Sequence, residues 1–161
     1  MRSTLVVVLL AAFSLFAKAQ SPQPTTKDAR VSQIAKGEFV VKLLPLEMEG
    51  LATDSKLGRM SINKSISGDL VATTVGQMLS AMTDVKGSAG YVAIEKVDGV
   101  LNGKKGTFVL QHTGSMNKGT PNLSVTVVPD SGSGELAGLA GEFSIIIAGG
   151  KHSYEFKYTL P

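Results

Sequence analysis

Any chemistry in this 161-residue chain rests on few groups: it has no cysteine and only two histidines, His112 and His152. His112 lies in "GTFVLQHTGSM", which alternates as a strand does. Successive side chains of a strand point to opposite faces. Phe108, Leu110 and His112 therefore share one face, and Thr107, Val109, Gln111 and Thr113 take the other. In the preceding run, Tyr91, Ala93, Glu95 and Val97 share a face opposed by Val92, Ile94, Lys96 and Asp98.

Between the two runs stands "LNGKKG", whose Asn102-Gly103 is a strong hairpin signal because both residues tolerate positive φ. A two-residue turn pairs Ala93 with His112 and Glu95 with Leu110. A four-residue turn sets Glu95 directly opposite His112. Either even-length turn puts Glu95 and His112 on one face, within side-chain reach. That face is the more apolar of the two, so it is read as the interior.

A carboxylate and an imidazole inside a small β-protein are costly unless they pair or meet a ligand. Three roles fit. The pair is an ion pair bracing the fold, in a structural barrel that binds nothing. It is the polar end of an apolar pocket lined by Tyr91, Phe108 and Leu110, with Glu95 and His112 as ligand contacts. Or Glu95 and His112 are the catalytic acid–base pair of an isomerase or cyclase, which requires burial to raise the Glu95 pKa toward neutrality.

The remaining candidates are weaker. His152 shares a face with Tyr154, Phe156, Tyr158 and Leu160, an aromatic core face, but it opens its strand at a turn and is expected to be exposed. Glu135 sits in a glycine loop and reads as a solvated carboxylate. Two histidines forty residues apart make a poor metal site, and no metal is expected. Gly132, Gly134 and Gly138 are spaced one residue too long for the dinucleotide fingerprint, so no cofactor is expected.

The elements that must position these residues are short apolar runs cut by glycines about every ten residues, the pattern of an antiparallel sandwich or barrel. Eight strands are expected: 37–47, 57–66, 69–78, 90–98, 106–113, 123–128, 142–148 and 152–160. The third is ambiguous, since Val71, Val75, Met78 and Met82 fall at helical spacing; the β-branched "LVATTV" favours a strand. "PDSGSGELAGLAG" (129–141) is too long for a tight turn and reads as a structured loop. Sequential hairpins in so small a chain favour closure, which removes exposed edges.

The N-terminus points to export. Met1-Arg2 precedes the apolar "TLVVVLLAAFSLF", and Ala17-Lys18-Ala19 supplies a small-x-small cleavage pattern. The organisation expected is a signal peptide at 1–19, a flexible polar leader at 20–36 and a single barrel domain at 37–161. The mature chain would be periplasmic or secreted, with no membrane association after cleavage. Losing Arg2 and Lys18 takes the net charge from +3 to +1, with 14 basic and 13 acidic residues left. Nucleic acid is therefore not an expected partner. The expected partners are a small apolar ligand and, as such barrels allow, further copies of the chain.

"GSAGYVAIEKVDGVLNGKKGTFVLQHTGSM", "LSVTVVPDSGSGELAGLAGEFSI" and "GKHSYEFKYTL" together resemble a bacterial family of small proteins of unknown function grouped with the allene oxide cyclase-like β-barrels. "SGDL" at 67–70 and "GQML" at 76–79 fit the same pattern, so the resemblance spans about 37–160. It implies an all-β fold, an eight-stranded antiparallel calycin-like barrel, and no established activity. Its motif positions include Glu95, Gln111, His112, Glu135, His152 and Tyr154.

Overall fold

The structure is a computed structural model that describes residues 31–50 and 56–161. The expected signal peptide and most of the expected leader lie outside the described residues. Eight strands follow in order: β1 (Gln33–Leu46), β2 (Leu57–Gly68), β3 (Leu70–Met82), β4 (Ala89–Leu101), β5 (Lys104–Asn117), β6 (Thr120–Val127), β7 (Ala140–Ala148) and β8 (Lys151–Thr159). Each pairs antiparallel with its neighbours, and β1 pairs with β8, so the sheet closes into an all-β, eight-stranded antiparallel barrel.

β1 begins inside the stretch expected to be leader. Ala35 faces the core, and residues 33–39 zip onto β8 from Gln33↔Tyr158 to Phe39↔His152. Lys36 points outward to Glu155, while Gln33, on the Ala35 side, meets the Tyr158 hydroxyl. β3 is a strand throughout, with Leu70, Ala72 and Thr74 buried inside and Val71 and Val75 outside. The helical spacing of its apolar residues comes from mixing the two faces.

Asn102 (φ 47°) and Gly103 (φ 83°) form a two-residue turn between β4 and β5. Positive φ at both central residues matches the right-handed twist of the flanking strands. The register that results runs from Leu101↔Lys104 to Ala93↔His112. Of the two even-length turns the sequence allowed, the shorter is present.

The two ends of the barrel differ. At the end carrying the β2–β3 and β4–β5 turns, Leu70, Val97, Leu101, Phe108, Leu110 and Phe156 fill the interior. Segment 128–139 plugs that end: a single 3₁₀ turn (Gly134–Leu136) inserts Leu136, and Leu139 follows it, both fully buried. β6 stops at Val127, so this segment satisfies the β5 edge in its place. Val109 N donates to Ser131 Oγ at 3.0 Å, Thr107 N to Ser133 Oγ at 3.2 Å, and Lys105 N to Glu135 Oε2 at 2.8 Å. Glu135, exposed as expected, thus caps a strand edge. Two phenols tie the same end together. Tyr154 Oη accepts from Leu70 N, and Tyr158 Oη accepts from Asn102 Nδ2 and donates to Gln33 Oε1, each at 2.9 Å.

A buried charge cluster at the floor of an open cup

The opposite end is not filled. A cup of about 250 Å³ opens there, and every strand contributes to its wall. Phe39, Ile62, Met78, Leu123, Ile145 and Ile147 make it apolar, while Lys64, Tyr91, His112 and His152 are its polar members.

Glu95 lies beneath the cup, fully buried, and both carboxylate oxygens are occupied. Oε2 accepts from Lys64 Nζ at 2.5 Å and lies 3.0 Å from His112 Nε2. Oε1 accepts from Thr74 Oγ1 at 2.5 Å, and Thr74 Oγ1 in turn accepts from Lys64 N at 2.9 Å. Burial alone would raise the Glu95 pKa, but the His112 bond, the Lys64 charge and bond and the Thr74 hydroxyl together hold it below the usual carboxylate range. The rise toward neutrality that acid–base exchange would require is therefore absent. Lys64, absent from the pair expected from the sequence, contributes both a charge and a hydrogen bond to this.

An ionised carboxylate only accepts, so His112 Nε2 must carry a hydrogen and donate it. Lys64 Nζ also sits 5.2 Å from the centroid of the Phe39 ring, a cation–π distance.

The structure brings Glu95 and His112 together as the hairpin register requires, with Tyr91 two residues before Ala93 on the same inner face. Tyr91 opposes Gly114, and its ring occupies the space a β-carbon there would take, 2.1 Å from the Cε1 atom. Burial, and then the Glu95 charge, raise the Tyr91 pKa, so the phenol keeps its proton. Phe108 and Leu110 face inward too, but deeper, in the filled half; they support the floor and do not line the cup. His152, expected to be exposed, is half-buried at the rim with its ring 5.1 Å from that of Phe39. Its turn lies outside the cup, while its strand position puts the side chain inward.

Two members of the cluster carry a local sequence signal of their own. Ile62, Lys64 and Ile66 occupy alternate positions in β2, as do Leu70, Ala72 and Thr74 in β3, so period-2 alternation assigns Lys64 and Thr74 to inner faces.

A closed eight-stranded antiparallel barrel, plugged at one end and cupped at the other over a buried Lys–Glu–His cluster, is the class of protein this fold and site define. The chain belongs to the DUF3224 family of proteins of unknown function, whose family model matches residues 35–158. It is similar to a DUF3224 protein of unknown function from Shewanella oneidensis MR-1, known from a crystal structure at 1.84 Å resolution. The two share 49% sequence identity with a TM-score of 0.77, over 81% of this chain and 99% of that one. No curated protein matches the chain.

Proposed function

We propose that this protein is an exported binder of a small, partly apolar molecule held in the open cup. One observation carries the reading: an apolar-walled cup of about 250 Å³ whose floor holds polar groups out of water. Ligand sites have this composition, mostly apolar with a few convergent polar groups that fix orientation. Tyr91 and His112 are the proposed contacts, and Glu95 positions His112 from below. The N-terminal sequence pattern supports export by a cleaved signal peptide to the periplasm or medium. The closed eight-stranded topology fits the allene oxide cyclase-like grouping.

The Glu95–His112 geometry also suits a second reading, in which His112 is the base of an isomerase or cyclase and Glu95 orients the ring. The plugged, tightly packed half favours the third, a structural barrel that binds nothing.

Native mass spectrometry of the mature protein, purified from its host's exported fraction, tests the proposal. A reproducible bound mass, lost in His112→Gln, is the expected result. An empty protein that also fails to take up small apolar probes overturns it. Turnover of the recovered molecule would separate enzyme from binder.

A further inference from the structure

Among the described residues the titratable side chains lining the cup are Lys64, Tyr91, His112 and His152, with no carboxylate. Glu95 lies beneath the floor and neutralises one of these groups, with both its oxygens already engaged. Lys64 uses one ammonium hydrogen on Glu95 and turns toward Phe39, which leaves donors to spare.

His112 is nearly fully buried and donates through Nε2. Its Nδ1 makes no hydrogen bond to the described residues. Among the described residues no buried side-chain nitrogen or oxygen lacks a partner, so Nδ1 keeps some accessible surface, and His112 lines the cup. The Tyr91 hydroxyl likewise has no hydrogen-bond partner among the described residues. The rest of the wall, among the described residues, is apolar apart from His152 at the rim.

We infer that the cup takes a small monocarboxylic acid, its carboxylate seated on Lys64, His112 and Tyr91 and its hydrocarbon chain against the apolar wall. The inference rests on the binding role proposed above and names the ligand class. Nδ1, the acceptor nitrogen of a ring that donates through Nε2, takes the hydrogen bond of the one proton that enters with the anion, while the carboxylate accepts from Lys64 and Tyr91. The charges then balance: Lys64 against Glu95, and the ligand's carboxylate against the proton that enters with it.

Every strand near the ring is consistent with this. β4 presents Glu95 and the Tyr91 hydroxyl, β2 presents Lys64, and β3 presents the Thr74 hydroxyl. β8 presents His152 at the rim, while β6 and β7 present only apolar Leu123, Val125 and Ile145. Size sets the chain length. A dry cavity of roughly 150 Å³ holds benzene, so a cup of this volume takes about ten non-hydrogen atoms, the size of octanoic acid.

The test is isothermal titration of the mature protein at pH 8 with octanoate and 1-octanol, each in two buffers of different ionisation enthalpy. Octanoate is expected to bind at least about tenfold more tightly than octanol, because charge-assisted hydrogen bonds are the stronger kind. Octanoate binding should also take up close to one proton per site. Tyr91→Phe, which keeps the ring over Gly114, should weaken octanoate several-fold and leave octanol unchanged. His112→Gln should abolish the proton uptake. Equal affinity for octanoate and octanol, or octanoate binding without proton uptake, overturns the carboxylate inference and leaves the binding role standing. If neither compound nor any other small apolar probe binds, the binding role falls and this inference with it.

Discussion

Lys64 Nζ lies 2.5 Å from Glu95 Oε2 inside the barrel, with the two side chains 4% and 0% exposed. They come from β2 and β4, so the contact reaches across β3, which supplies Thr74 to the same carboxylate. Removing one charge of a buried pair leaves the other uncompensated, at about 3–5 kcal/mol, whereas removing both is often nearly neutral. Glu95→Gln should therefore cost about that much in urea denaturation. The Lys64→Met, Glu95→Leu double variant should recover most of the loss. Equal losses in the two would mean the charges are not coupled.

Acid should act on the same group. Glu95 is held below its ordinary value of 4.5, so the stability it contributes is fully present above that unfolded-state value. It is lost as pH falls through the lower folded-state value. The stability gap between wild type and Glu95→Gln, measured by urea unfolding from pH 7 to pH 3, should hold steady down to about pH 5 and then narrow. A gap that stays constant across that range would show that Glu95 has the same pKa folded and unfolded.

At the plugged end, Leu136 is fully buried and Glu135, its neighbour, is exposed. Leu136→Ala should destabilise by about 2–5 kcal/mol, the range for emptying a well-packed leucine site. Glu135→Gln keeps an acceptor for Lys105 N and should cost about 1 kcal/mol or less. Chemical denaturation of the two variants checks both figures; a Leu136→Ala cost near zero would mean the loop does not seal the core.

The floor of the cup is sensitive to one glycine. A methyl at Gly114 would meet the Tyr91 ring, whereas one at Gly90 finds nothing nearer than the Gly114 carbonyl oxygen at 3.8 Å. Gly114→Ala should cost about 1–3 kcal/mol by overpacking and displace the Tyr91 ring. Gly90→Ala should be close to neutral. Near-ultraviolet circular dichroism, which reports the tyrosine environment, should change only in the first. Unchanged spectra in both variants would mean the ring is not seated there.

How much of this was legible in the amino-acid sequence follows from how far apart the contacting residues lie along it. Strand alternation and the Asn102-Gly103 turn are local, and together they determined that Tyr91, Glu95 and His112 share an inner face. Short alternating runs and glycine-rich turns likewise determined an all-β, eight-stranded barrel. Tertiary structure alone decided the rest. Lys64 reaches Glu95 only because β3 pairs with both β2 and β4 and sets their inner faces side by side, and a lone lysine among isoleucines has no local signature of the carboxylate it will meet. Burial alone would raise the Glu95 pKa; the His112 bond, the Lys64 charge and bond and the Thr74 hydroxyl together turn that rise into a fall. The same holds for the division of the lumen. Phe108, Leu110 and His112 read alike from alternation, yet depth along the barrel axis places the first two in a sealed core and the third at the floor of the cup. That depth depends on strand stagger and on where segment 128–139 folds back, neither of which is encoded in any single strand.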